Sequence, residues 1–102
     1  MEEKEKVRII IIQLLAEKNI REIKDYIVEE GYPENAEKFI LRMASYIQSI
    51  YVFPFVHSEC RNKKFNKRNW RCAVFENNYI IAYKIFKFKI VMHAVINVSR
   101  LK

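Results

Sequence analysis

The 102-residue chain holds a single glycine, two prolines, two cysteines and one tryptophan. With so little glycine and 51% hydrophobic residues it is not a disordered tail, because such tails lack the apolar surface that offsets the entropy of ordering. Long apolar runs are absent too. Ile9-Ile10-Ile11-Ile12 and its neighbours fall far short of the roughly 20 residues a spanning helix needs, so no membrane segment is expected. The opening Met1-Glu2-Glu3-Lys4-Glu5 mixes both charges and precedes no small-residue cleavage site, which predicts a cytoplasmic protein without a secretory leader. Thiols stay reduced in that compartment. Cys60 and Cys72 are therefore expected as small buried hydrophobes and not as a bridge. A zinc site from His57, Cys60, Cys72 and His93 is disfavoured, because Cys72 and His93 stand far apart without the local partners that form a knuckle. No metal, no cofactor and no small-molecule substrate are expected.

Acidic residues are scarce in one half only. Residues 1–54 carry 8 Lys/Arg against 10 Asp/Glu, whereas residues 55–102 carry 11 against 2. A field of one sign over half of a small domain faces a polyanion or an acidic protein.

What is present reads as one domain over residues 1–102. Lys6 to Ile12 is a short β-branched run bounded by charge, read as a strand buried on both faces. Ala16, Ile20, Ile23 and Ile27 then recur at helical spacing, with charged residues between them, as far as Gly31, where a left-handed cap is wanted. Pro33 suits a first helical position, and Ala36, Ile40, Met43, Ile47 and Ile50 continue the same period as far as Phe53-Pro54. Two amphipathic helices so closely joined form an antiparallel hairpin.

Residues 61–71 hold six basic residues and read as an exposed loop with a short edge strand. In the next strand Trp70, Cys72 and Val74 share one face, and Arg71, Ala73 and Phe75 the other. A turn at Asn77-Asn78 precedes strands over Tyr79–Phe86 and Ile90–Val98. In the last one Ile90, Met92, Ala94, Ile96 and Val98 line one face, with His93 and Asn97 opposite. The predicted fold class is α+β: a two-layer sandwich of an N-terminal strand, an antiparallel helical hairpin and a three- to four-stranded antiparallel meander. One sheet face is covered by the helices. The other is left partly exposed among the cations.

Several segments carry a family pattern. Ala16 to Ile23 leading into Tyr26-Ile27, then Tyr32 to Ile40, the closing Phe53-Pro54, Trp70-Arg71, Tyr79 to Ile85 and Val95 to Arg100 together resemble the RelE/ParE toxin superfamily of bacterial type II toxin–antitoxin systems. The resemblance runs in order over nearly the whole chain and implies the fold derived above. It also implies one of two activities. RelE-like toxins are ribosome-dependent mRNA endonucleases, whereas ParE-like toxins bind DNA gyrase.

The nuclease chemistry needs an activated 2′-hydroxyl, cations around the phosphate and an acid for the leaving oxygen. Carried over residue by residue, Arg71 and Arg100 match two basic positions, and His93 is the one candidate acid–base group. Ala73 and Ile80 stand where two further cations belong, and the chain closes on Leu101-Lys102 without a terminal Tyr or His. The ParE-like branch is the better match, with Asn97, Val98 and Leu101 replacing the usual His, Gly and Asp of its closing segment. The alternatives are the ribosome-dependent mRNA endonuclease, acting on ribosome and mRNA, and an attenuated toxin retaining only antitoxin binding. Either toxin implies an acidic antitoxin. Arg61, Lys63, Lys64, Lys67, Arg68, Arg71, Lys84 and Arg100 are the residues expected to meet that antitoxin or the target. A third reading is a nucleic-acid-binding module built on Phe65 and Trp70 among the cations.

Overall fold

A computed structural model describes residues 8–101, the side chains of Arg100 and Leu101 excepted. The expectations placed on Met1 to Glu5 and on the start of the first strand lie outside the described residues. The elements run β1 (Ile9–Ile12), α1 (Leu14–Glu29), α2 (Pro33–Val52), a single-turn α3 (Lys63–Asn66), β2 (Arg71–Phe75), β3 (Tyr79–Ile85) and β4 (Lys89–Asn97). A 3₁₀ turn over Val98–Leu101 follows β4. The four strands form one sheet in the order β1-β4-β3-β2. β2, β3 and β4 are the antiparallel meander, while β1 joins β4 in parallel, Ile10 opposite Ile90.

The helical hairpin follows from its punctuation. Gly31, at φ +94°, ends α1, with its N–H on the Val28 carbonyl and the Tyr32 N–H on the Ile27 carbonyl. These are the two crossed bonds of a Schellman cap, which needs a left-handed residue between them. Pro33 opens α2 two residues later. The apolar stripes then meet the sheet. Ala16, Phe39, Met43 and Ile50 from the helices bury against Ala73, Phe75, Ile81, Tyr83, Ile90, Met92 and Val95. Each large side chain so buried contributes about 1.5–3 kcal/mol of transfer free energy.

Four expectations change. β1 is not buried on both faces: it is an edge strand, with Ile9 59% and Ile12 41% exposed. An unbroken apolar run looks identical whether it sits inside a sheet or at its border. The 61–71 segment is not a plain exposed loop, since it winds through α3 and buries Phe65 and Trp70. The face assignment of β4 breaks midway. Ala82 pairs with Ala94 but Tyr83 with Met92, so His93 is an extra residue in the ladder, and Val95 joins the helix-side core where simple alternation would have put Ala94. Finally, Cys60 and Cys72 form a disulfide. Cys60 is buried as expected, at 1% exposed, whereas Cys72 is only partly buried. What brings them together is backbone pairing of Ser58–Cys60 with Trp70–Cys72, through Cys60 N–H to the Trp70 carbonyl and Cys72 N–H to the Ser58 carbonyl. Ser58-Glu59-Cys60 has no strand pattern to announce that pairing.

Candidate functional surfaces

The face of the sheet turned away from the helices carries a second, smaller core. Cys60, Phe65, Trp70 and Ala82 are buried there, with Cys72 and Ile96 packed against them. Trp70 stacks on His93, centroids 4.4 Å apart and planes within 10°, and on Phe65 at 5.2 Å. The Arg68 guanidinium also lies 4.9 Å from the Trp70 ring. The disulfide closes the segment that carries Arg61, Lys63, Lys64, Lys67 and Arg68, so these cations are held on a platform clamped to the sheet. Asn62 begins the platform's single helical turn by accepting from the Lys64 N–H at 2.9 Å.

His93 sits beneath this platform. Its Nδ1 is 3.2 Å from Gln13 Oε1, and its buried Nε2 has no hydrogen-bond partner among the described residues. Burial, followed by the nearby Lys84 and Arg68 charges, holds its pKa below the usual imidazole value. A second proton would place an N–H where nothing accepts it, so the neutral ring is the stable form.

Arg71 lies on the other side of the sheet. It pairs with Tyr83, whose side chain is in the helix-side core, and donates from a guanidinium nitrogen to the His57 carbonyl at 2.6 Å. Its guanidinium also stands 5.2 Å from the Phe55 ring. Tyr83 donates to the Pro54 carbonyl at 2.7 Å, and burial pushes its phenol up to about 12. These two bonds anchor the chain as it leaves α2. Burial lowers the His57 pKa as well.

The residues matched to nuclease positions therefore do not converge. Arg71 and Ala73 belong to the helix side, Ile80 and His93 to the opposite side, and Ala73 is 0% exposed. Arg100 lies in the closing 3₁₀ turn, and its side chain is outside the described residues. Lys84 leaves the outer face toward the β3–β4 turn, near enough to His93 to lower its pKa, with its ammonium 5.3 Å from the Phe86 ring. Phe65 and Trp70, read as stacking residues for nucleic acid, are 6% and 7% exposed and belong to the second core.

Two concavities complete the surface. One, of about 380 Å³, runs between β1 and the helices and is lined by Ile10, Ile12, Ile20, Ile40, Met43 and Ile47. The other, of about 420 Å³, lies where α1 faces the end of β4, among Asn19, Tyr26, Tyr79 and Asn97. Asn97 accepts from both the N–H and the hydroxyl of Ser99, which fixes the turn that follows β4. Among the described residues no group of three or more His, Cys, Asp or Glu could hold a metal ion.

Residues 10–101 match the family model described as the ParE toxin of type II toxin–antitoxin systems, parDE. In three dimensions the chain is similar to a protein of the chromosomal ParDE toxin–antitoxin system from P. aeruginosa. The TM-score is 0.73 at 12% identity, over 90% of this chain and 97% of that one. No curated protein sequence matches the chain.

Proposed function

We propose that this chain, which belongs to the ParE toxin family of type II toxin–antitoxin systems, arrests growth by binding DNA gyrase and is held inactive by an acidic antitoxin. The observation that carries the target reading is the split of the nuclease-position residues between two sheet faces, with Ala73 sealed beneath the helices. General acid–base cleavage of a phosphodiester requires cations and a proton donor around one phosphate. Arg71 spends its guanidinium on the His57 carbonyl and Phe55, and His93 is stacked under Trp70, so neither is placed for that work. A surface of cations without a reactive centre suits a toxin that acts by occupying a protein.

Two features support the antitoxin. The isoleucine-lined groove beside β1 fits the apolar face of a partner helix, and among the described residues β1 leaves one sheet border open for an added strand. The platform cations would pair with acidic residues of the same partner. The platform, the groove and Arg100 are the surfaces we assign to antitoxin or target, in a cytoplasmic setting where the cysteines stay reduced and backbone pairing and the Trp70–His93 stack keep the platform in place.

Induced expression of the chain without its antitoxin tests the target reading in cells. Filamentation with DNA damage while translation continues is the expected phenotype. Prompt arrest of translation with cut transcripts would replace gyrase by the ribosome.

A further inference from the structure

The end of the sheet formed by the β3–β4 turn presents a cluster that the toxin reading leaves unused. Phe86-Lys87-Phe88-Lys89 closes on itself through the Phe86 N–H and the Lys89 carbonyl at 2.8 Å. Phe88 is 64% exposed, Phe86 38%, and the neighbouring Phe55 60%. Cations accompany every ring. Lys84 and Lys89 reach Phe86 at 5.3 and 5.0 Å, Lys87 reaches Phe88 at 5.3 Å, and Arg8 reaches Phe55 at 5.5 Å. Arg8 also ties the two parts together by donating to the Phe86 carbonyl at 2.8 Å. Among the described residues none of these cations, nor Arg71 beside Phe55, is in an ion pair.

We propose that this tip binds a single strand of DNA, its rings stacking on unpaired bases and its four cations Arg8, Lys84, Lys87 and Lys89 meeting the phosphates. The inference goes beyond gyrase binding and does not rest on it. Three partners share part of the chemistry, and the geometry separates them. An acidic peptide would match the cations and leave three rings in water. A lipid surface would match both, but Phe86 is only 38% exposed, so a membrane would gain little more than the Phe88 and Phe55 rings, an apolar area too small for stable anchoring. A duplex offers phosphates but keeps its bases stacked inside. A single strand supplies a base face and a phosphate side by side, which is how the tip alternates ring and cation. The lysines now lying on the rings do not block this. An exposed cation–π contact is weaker than base-on-aromatic stacking, and a lysine that swings from ring to phosphate exchanges one for the other. Besides its lysines, which the phosphates engage, the turn offers no polar side chain to read a 2′-hydroxyl, so no preference for RNA is built in.

Fluorescence anisotropy of the full chain with a labelled 20-nucleotide oligo-dT, over a salt series, is the test. Four phosphate contacts predict a log–log salt slope of about −2.8 for a single strand. Lys87→Ala with Lys89→Ala should shrink the slope by about 1.4, while Lys18→Ala with Lys24→Ala, the same charge change on α1, should leave it. Phe86→Ala with Phe88→Ala should weaken binding roughly tenfold or more at constant slope. Both rings are exposed, and an unchanged Tm shows that the fold is kept. The proposal is overturned by absent binding, by equal affinity for duplex of the same length, or by oligo-U bound more than tenfold tighter. It is equally overturned if the ring variants bind normally, if the α1 variants lose as much as the tip variants, or if only anionic phosphatidylserine vesicles bind.

Discussion

Tyr83 shows how one hydroxyl can fix a path. Its O–H is the donor that holds Pro54 under the start of the 53–62 segment, inside a fully buried setting. Tyr83→Phe leaves the Pro54 carbonyl without that donor and should cost about 1–2 kcal/mol in urea unfolding. Absorbance during alkaline titration should show this phenol ionising last, near pH 12, and its loss in Tyr83→Phe identifies it. The raised value means that stability carried by the neutral phenol is kept below its ordinary pKa and lost as pH climbs through about 12. Gly31 is the other residue with a clear individual task. A methyl group added there meets nothing within 4 Å, so Gly31→Ala should cost only the backbone strain of φ +94°, about 1 kcal/mol.

Among the elements, the helices were legible and the 57–72 segment was not. Heptad-like spacing of Ala16, Ile20, Ile23 and Ile27, with Gly31 and Pro33 as punctuation, specifies the hairpin locally, because every signal lies within one or two turns of its effect. The disulfide, the Phe65–Trp70–His93 stack and the extra residue at His93 all depend on which segment lies opposite which. No local pattern encodes that register, and it decided both the fate of the cysteines and the separation of Arg71 from His93. The turn between β2 and β3 is an intermediate case. Asn77 marked it correctly, but Glu76 shares the left-handed conformation, with its carboxylate paired to Arg42. The bridge gives a direct prediction. Reduction with dithiothreitol removes the restraint on the platform and should destabilise the domain by about 3 kcal/mol, lowering Tm by roughly 10–20 °C. The helix-side core should remain folded at room temperature, as read by an unchanged far-UV circular dichroism spectrum.

At the scale of the molecule, the charge asymmetry divides into separate surfaces. The C-terminal cations are distributed between a disulfide-clamped platform on the outer face and the aromatic tip at one sheet end, while Arg71 is enlisted in holding the chain. His57 and His93 give the fold a pH dependence of definite sign. Both have lowered pKa values through burial, so the unfolded chain takes up protons first. Their contribution is fully present above the ordinary imidazole pKa and is lost as pH falls below it. The urea midpoint should therefore drop between pH 7.5 and 5.5, and the double replacement His57→Gln with His93→Gln should flatten that drop. A midpoint that rises on acidification would contradict the burial argument.

A ParE-family chain that acts on a protein target, as we propose, disables gyrase and leaves phosphodiesters of messenger RNA untouched. DNA gyrase supercoiling with the purified chain, read on agarose gels alongside a translating extract, tests this most directly. Lost supercoiling or accumulated cleaved DNA at stoichiometric toxin, with messenger RNA left intact in the extract, is the expected result. Unimpaired gyrase at stoichiometric excess, together with codon-phased cuts that vanish in Arg71→Ala, would contradict it.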